Sequence, residues 1–312
     1  MTPSDKIYTL ADLDTWSFAG TALAVLGHPI KHSISPPMHN AALARMATND
    51  PRFATWKYFR FDIAPDDLPV ALKKLHACGF AGLNLTVPHK ILAFHDELVK
   101  EIDPAACDIG AINTLRRTAA GWHGYNTDGY GLATGIREDL HRELAGAQII
   151  LLGAGGAARG AAVECGLQKC EKLWLVNRTP ETRDQLHHRL DLAWAGNGPA
   201  VQVLDLKNPP KELPQNALVI NATSAGLKPT DPLPIDLAAL AAHARPAGVY
   251  DMIYNPAETP LLAQARALGI PAANGLSMLV HQGVRALEIW SEATVPVDAM
   301  RTAVHSAMKA SA

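Results

Sequence analysis

Gln148-Ile149-Ile150-Leu151-Leu152-Gly153-Ala154-Gly155-Gly156-Ala157-Ala158-Arg159-Gly160 is the stretch on which the reading of this chain turns. A short apolar run feeds a glycine-rich turn and then residues suited to a helix, the strand–turn–helix order of the dinucleotide-binding fingerprint, with Ala158 where a third glycine often stands. Gly153 permits the tight turn. Gly155 removes the Cβ that would block a pyrophosphate, and the free N–H groups and dipole of the following helix face that anion. A glycine turn alone is equally well read as a plain connection between strand and helix; the flanking strand and helix favour a nucleotide.

The next predicted strand, Leu173–Val176, runs into Asn177-Arg178-Thr179, with Asn177 standing 24 residues beyond Gly153. NAD sites place a carboxylate there for the ribose 2′-hydroxyl. Here the place holds no acid, and Arg178 offers a fork suited to a 2′-phosphate, so NADP(H) is favoured over NAD(H). The plainer alternative for Arg178 is a surface arginine at a strand end.

Outward from this turn, short apolar runs alternate with amphipathic stretches, the pattern of βα units. Before it, strands are expected near 23–26, 56–63, 83–86 and 112–115. Helices are expected from Ser35-Pro36, after Pro65-Asp66-Asp67 and after Thr86-Val87-Pro88. A Gly/Asn/Asp-rich pause at 124–129 leads into a helix ending around Glu143. After the turn, strands are expected near 201–204, 218–221 and 248–252, then helices at 259–268, 276–290 and 297–310, with Asn274-Gly275 as a hinge or turn. The fold class is therefore α/β, in two lobes.

Composition excludes several classes. The 312 residues are 48% hydrophobic and 19% charged, globular values, and 28 basic against 30 acidic residues leave a net charge of −2. Such a chain has no basic field for nucleic acid or an anionic membrane. Its apolar runs fall far short of the ~18 residues that mark a membrane span, and Asp5, Asp12 and Asp14 interrupt any signal-peptide pattern. Cys78, Cys107, Cys165 and Cys170 form no CxxC pair and no zinc-like spacing. They read as reduced, mostly buried thiols of a cytoplasmic protein, with no metal site.

Three polar segments of the first lobe are hard to explain by folding alone. In Gly27-His28-Pro29-Ile30-Lys31-His32-Ser33-Ile34-Ser35-Pro36, Ser33 and Ser35 follow a strand's C-terminal end, where open α/β sheets bind ligands. Ser35 has a competing role as a helix N-cap; Ser33 has none. In Asn84-Leu85-Thr86-Val87-Pro88-His89-Lys90, the lysine falls in the first turn of a helix. A cation there is disfavoured by up to about 1 kcal/mol, so Lys90 is either a solvated accident or an amine held for chemistry. In Gly110-Ala111-Ile112-Asn113-Thr114-Leu115, Asn113 is read as lying within an apolar strand, where an unpaired amide is costly. Asn126-Thr127-Asp128 follows, and Asp128 is either functional or a cap for the helix at Gly129.

Together these segments, with Asn221-Ala222-Thr223-Ser224-Ala225-Gly226-Leu227, Tyr250-Asp251-Met252-Ile253-Tyr254-Asn255-Pro256 and Asn274-Gly275-Leu276-Ser277-Met278-Leu279-Val280-His281-Gln282-Gly283, resemble the shikimate dehydrogenase family from Gly27 to about Trp290. The resemblance implies an N-terminal α/β substrate-binding domain of residues 1–127 and 275–312. It also implies a Rossmann-type NADP-binding domain of 128–274, and an active site in the cleft between them. It implies NADPH-dependent, reversible reduction of 3-dehydroshikimate to shikimate, on the route to chorismate and the aromatic amino acids. Lys90 and Asp128 match the family's catalytic pair. Ser33 and Ser35 match serines that hold the substrate carboxylate, assisted by Tyr254. Thr86, Asn113 and Gln282 match positions near the ring hydroxyls. Gly153, Ala154, Gly155, Gly156, Ala157, Asn177, Arg178 and Thr179 match the NADP site, and Met252 and Gly275 its nicotinamide end. His28 departs from the Asn or Asp expected before Pro29, with little consequence expected. The partner implied is a small-molecule substrate, bound by a monomer or homodimer.

Reducing a ketone needs a hydride on carbon and a proton on oxygen. On this reading the Lys90 ammonium hydrogen-bonds the oxygen and supplies or relays the proton, while Asp128 orients Lys90 and binds a neighbouring hydroxyl. The nearest rival is a quinate or dual quinate/shikimate dehydrogenase. Quinate's extra hydroxyl needs room near the carboxylate, and a serine pair leaves less of it than a glycine. A non-catalytic sensor is the remote rival; it would have lost Lys90 or Asp128, and both are present.

Overall fold

A computed structural model describes residues 6–194, 196–204, 213–228 and 230–311. The chain divides into two compact units, Met1–Thr127 with Val280–Ala312, and Asp128–Leu279. The second division falls inside one helix, Leu276–Ser291.

The first unit is built on seven strands: β1 (Ile7–Tyr8), β2 (Thr21–Gly27), β3 (Trp56–Asp62), β4 (Gly82–Leu85), β5 (Val99–Ile102), β6 (Thr114–Arg117) and β7 (Trp122–Tyr125), in the order β1-β3-β2-β4-β6-β7-β5. β2 is parallel to β3 and β4, whereas β6 runs antiparallel to both β4 and β7. β2 is buried along nearly its whole length, which suits the unbroken apolar run Ala22–Leu26 to the centre of a covered sheet. β1, β5 and β7 were not expected. β1 has two residues and β5 exposes both Lys100 and Glu101, so neither carries a hydrophobic period long enough to read. β1 also gives the N-terminal segment a packing role, because Tyr8 stacks on Phe61 and meets Phe59 and Trp16 edge-on. Outside the sheet, Trp290 donates its indole N–H to the Leu115 carbonyl at 3.0 Å, tying the Leu276–Ser291 helix to β6 within this unit.

The second unit continues with β8 (Gln148–Leu152), β9 (Lys172–Val176), β10 (Ala200–Val203), β11 (Leu218–Asn221), β12 (Gly248–Asp251) and β13 (Ala272–Asn274). All pair in parallel, in the order β10-β9-β8-β11-β12-β13. This is the 3-2-1-4-5-6 order of the doubly wound dinucleotide fold, whose topological switch lies between the first and fourth strands, here β8 and β11. The unexpected β13 turns the supposed Asn274-Gly275 hinge into a strand end with a cap: the Asn274 side chain accepts from Leu276 N at 3.1 Å and donates to Ala257 O at 2.9 Å. Among the described residues no helix is long and apolar enough to cross a membrane, and no cluster of metal-ligating side chains occurs. All four cysteines are free; Cys165 and Cys170 are buried, Cys78 is half-buried and Cys107 is exposed.

Candidate active site

In the first unit, strand direction brings the polar segments to one sheet edge. β2 and β4 both end there, β6 begins there because it runs the other way, and β7 ends there again. The last residue of β2 and the first residue after β4 touch: a Cβ on Gly27 would sit 2.2 Å from the Thr86 hydroxyl. The Lys90 carbonyl accepts from Ile112 N at 2.9 Å and the Asn113 carbonyl from Leu85 N at 2.9 Å, so the segments carrying Thr86, Lys90 and Asn113 are bound to one another through backbone. Ser33, Ser35, Thr86, Lys90, Asn113 and Gln282 all belong to this unit, whereas Asp128 and Tyr254 belong to the second.

Three expectations change. Ser35 is the first residue of the Ser35–Ala47 helix rather than its cap; Ile34 holds the cap position without a side-chain bond, and the Ser33 hydroxyl, one residue earlier, accepts from Ser35 N at 3.4 Å. Lys90 lies in a helix of only four residues, His89–Leu92, too short for the dipole penalty expected at a longer helix's start. Asn113 precedes β6 rather than lying within it, and its amide is well supplied. Its Nδ2 donates to Thr127 Oγ1 at 3.0 Å, while its Oδ1 accepts from Thr114 Oγ1 and Thr127 N, each at 2.9 Å. Behind it, Asn84 donates to Thr114 Oγ1 at 3.0 Å and to the Asn113 carbonyl at 3.2 Å, and accepts the Tyr58 hydroxyl at 2.7 Å. This buried network leaves the amide one orientation and holds Thr127 directly before Asp128, the first residue of the Asp128–Leu140 helix.

Arg60 is a residue the sequence reading missed. From β3 it donates to the Lys31 carbonyl at 2.9 Å and the Ser33 carbonyl at 2.7 Å, bracing the serine loop from beneath. An arginine in the otherwise apolar Tyr58-Phe59-Arg60-Phe61 was the available signal. His39 is another. It is fully buried, stacks on Tyr58 at 4.2 Å, and has no hydrogen-bond partner for either ring nitrogen among the described residues. Burial pushes its pKa down to about 3, so it stays neutral at physiological pH.

In the second unit, the turn behaves as its glycines require. Gly153 has φ +111°, and a Cβ there would press to 3.1 Å from the Ala222 carbonyl and the Thr223 methyl. Gly155, at the N-cap of the Gly156–Leu167 helix, instead faces open space, with nothing within 4 Å of its would-be Cβ. Ala158 is fully buried, so a methyl group fills the third-glycine position as core. A cavity of about 640 Å³ opens at the switch point, lined by Gly153–Gly155, Asn177, Arg178, Thr223–Ala225 and Asp231–Pro234. Asn177 points its amide at Thr179 O and Thr182 Oγ1, at 2.9 and 2.7 Å, shaping the loop on which Arg178 stands exposed. The strand end carries no acid, but Asp231 reaches the same cavity from a later loop. Its carboxylate accepts from Gly226 N and Lys228 N at 3.1 and 3.0 Å, which holds its pKa low and commits it to the loop. At the other end of the unit, Gly275 passes so close to Met252 that a Cβ would lie 2.2 Å from the Met252 carbonyl. Burial raises the Tyr254 pKa above its ordinary value, keeping the phenol protonated near neutral pH.

An open glycine cradle, a switch-point cavity and an exposed arginine where NAD sites carry an acid fit a phosphorylated dinucleotide. Comparison with known proteins agrees. Residues 25–115 match the shikimate dehydrogenase substrate binding domain, and residues 275–305 the shikimate 5′-dehydrogenase C-terminal domain. The shikimate dehydrogenase (NADP(+)) of Moorella thermoacetica is 41% identical over 94% of this chain and 96% of its own length. This chain belongs to the shikimate dehydrogenase family. Among solved structures, the Thermus thermophilus shikimate 5-dehydrogenase in complex with NADP(H) and shikimate is 30% identical, with a TM-score of 0.77 over 92% of this chain and 99% of that one. A 5-ketofructose reductase from Gluconobacter, solved without ligand, shares the fold at 27% identity and a TM-score of 0.80, over 93% of this chain and 99% of that one.

Proposed function

We propose that this chain catalyses the reversible, NADP(H)-dependent reduction of 3-dehydroshikimate to shikimate, a step toward chorismate and the aromatic amino acids. The observation that carries this reading is the glycine cradle opening on a cavity beside Arg178, in a chain whose other unit gathers Ser33, Thr86, Lys90 and Asn113 at one sheet edge. NADPH, when bound, supplies the hydride. The turn that Gly153 makes would bring the backbone N–H groups of Ala154 through Ala157 to its pyrophosphate, Arg178 and Thr179 would take the 2′-phosphate on the loop that the Asn177 amide ties, and Met252 and Gly275 would border its nicotinamide end. Lys90 hydrogen-bonds the substrate ketone as an ammonium and delivers the proton as negative charge develops on that oxygen. Asp128 orients Lys90 and accepts from the adjoining hydroxyl. Ser33 and Ser35 take the carboxylate with Tyr254, and Thr86, Asn113 and Gln282 select the ring hydroxyls.

Oxidation of shikimate runs the same transfer in reverse, with Lys90 receiving the hydroxyl proton as the hydride leaves for the nicotinamide. The substrate-binding role falls to residues 1–127 and 275–312, and the cofactor role to 128–274. Four free cysteines support a cytoplasmic protein, acting as a monomer or homodimer.

The deciding experiment follows nicotinamide absorbance while crossing shikimate, quinate and 5-ketofructose with NADP(H) and NAD(H), each in the working direction, for the wild type and Arg178→Ala. Shikimate with NADP is expected to dominate. Arg178→Ala should raise the KM for NADP by ~10- to 100-fold, as loss of a charge-assisted contact implies, and leave that for NAD nearly unchanged. Equal losses with both cofactors would remove Arg178 from 2′-phosphate recognition. The likeness to the ketofructose reductase supports a keto sugar as the second substrate, and turnover of 5-ketofructose above that of shikimate would replace the first reading with it.

A further inference from the structure

Asp251 is the last residue of β12, fully buried, and no cation is paired with it among the described residues. Burial raises its pKa, and three donors oppose that shift. Its Oδ1 accepts from Asn221 Nδ2 at 2.9 Å and from Ile253 N at 3.1 Å, and its Oδ2 accepts from the Thr259 hydroxyl at 2.6 Å. Asn221 ends the neighbouring strand β11 and faces the other way with its oxygen, which accepts from Thr223 N at 3.1 Å and Thr223 Oγ1 at 2.7 Å. Thr223 Oγ1 in turn accepts from Ala225 N at 3.1 Å. Since Asn221 donates only through nitrogen and accepts only through oxygen, the partners on its two sides fix its orientation.

The backbone ladder of β11 and β12 runs only to the base of the two loops that follow, with Asn221 opposite Asp251 and Met252 N donating to the Asn221 carbonyl at 3.0 Å, and the side-chain contacts carry the tie on into the loops themselves. One, Ala222–Ala225, walls the cavity beside Gly153; the other, Met252–Tyr254, follows Asp251 and borders Gly275. We propose that Asp251 and Asn221 form a buried clasp that sets the spacing between the phosphate end and the nicotinamide end of the cofactor site before the cofactor arrives. Asp251 is thus a positioning residue, touching neither cofactor nor substrate. The physical reason for an acid is its acceptor capacity: a single carboxylate takes all three donors, whereas a hydrophobic residue would leave the Asn221 amide, the Ile253 N–H and the Thr259 hydroxyl buried and unsatisfied. Both loops then relax apart, and cofactor binding has to restore their spacing.

The inference rests on the NADP(H) reading, and the test separates the two. NADPH binding is titrated directly by its fluorescence, without substrate, alongside steady-state kinetics and thermal melts, for the wild type, Asp251→Ala, Asp251→Asn, Thr259→Val and Thr259→Ser. Failure of the wild type to bind NADPH would defeat the cofactor reading itself. Given wild-type binding, the clasp predicts that Thr259→Val, and Asp251→Ala where it folds, weaken NADPH by ~5- to 20-fold, the scale of one or two lost buried hydrogen bonds. At saturating NADPH, kcat should stay within about threefold of wild type, because the cofactor restores the geometry. Thr259→Ser keeps the hydroxyl and should bind within about twofold of wild type. Asp251→Asn keeps an acceptor for Ile253 and Asn221 but leaves the proton of the Thr259 hydroxyl, which already accepts from Leu262 N at 3.3 Å, without a partner, so its loss should fall between those of Thr259→Ser and Asp251→Ala. A merely structural role would lower the melting temperature and the active fraction, hence kcat, at unchanged NADPH affinity. That outcome in Thr259→Val, whether or not Asp251→Ala folds, would overturn the clasp.

Discussion

The two units build their functional surfaces from different materials. In Asp128–Leu279 the switch-point cavity is bordered by a glycine turn, the start of a helix and a loop edge, with open space where a Gly155 side chain would lie. In the first unit the corresponding edge is made of side chains held by other side chains, with Asn84, Thr114 and Thr127 fixing Asn113, and Arg60 bracing Ser33. A phosphate presents the same tetrahedral anion in every nucleotide, and peptide N–H groups suffice for it. A ring with several hydroxyls and a carboxylate is told from its relatives only by donors and acceptors placed one by one.

The contrast is open to test, beginning with its largest effect. Lys90→Ala should lower kcat by roughly two to four powers of ten, the scale of a general acid, with substrate KM little changed; a near-normal turnover number would take Lys90 out of the chemistry. Next, Gly155→Val should weaken NADPH by about 100-fold in a binding titration, because it fills the cradle. The melting temperature should hold, since nothing lies within 4 Å of the new Cβ. A large loss of stability there would mean that the turn is core rather than cradle. Arg60→Ala should raise the KM for shikimate by about three- to tenfold through the loosened serine loop, leaving the KM for NADPH unchanged. An equal rise in both would contradict the separate construction of the two surfaces.

The last effect concerns stability, and it is small just below pH 6.5 and grows with acidity. His39 stays neutral in the folded protein down to about pH 3, whereas the unfolded chain takes up its proton as the pH falls through 6.5. Its contribution is complete above pH 6.5 and is lost, at about 1.4 kcal/mol per pH unit, as the pH falls toward 3. His39→Phe keeps the stacking on Tyr58 and removes the proton, so urea midpoints of the variant and the wild type should diverge progressively below pH 6.5. Parallel pH profiles would show that the ring is hydrated.

Much of the second unit could be read in advance for the same reason that its site is simple. Gly153 and Gly155 are needed for their backbone and their empty space, which are properties of the residue type, and the apolar run before them declares a strand. The order β10-β9-β8-β11-β12-β13 is that of the doubly wound fold in which such a turn follows the first strand. Short strands were lost where the period was too brief to see, as in β1 and β5. Ser35 was misread as a cap because a serine before a proline says nothing about which of two neighbouring hydroxyls meets the helix N–H.

By itself the sequence determined the α/β class, the glycine turn between strand and helix, and the missing acid beside Arg178. Only tertiary structure decided that β6 runs antiparallel and so delivers Asn113 to the edge where β2 and β4 end. The same holds for Arg60 supporting Ser33, and for a buried aspartate at the end of β12 that meets Asn221 and Thr259. Periodicity and residue type are local properties written along the chain. The partner of a buried polar group is set by strand order and register, which bring together residues far apart in the chain.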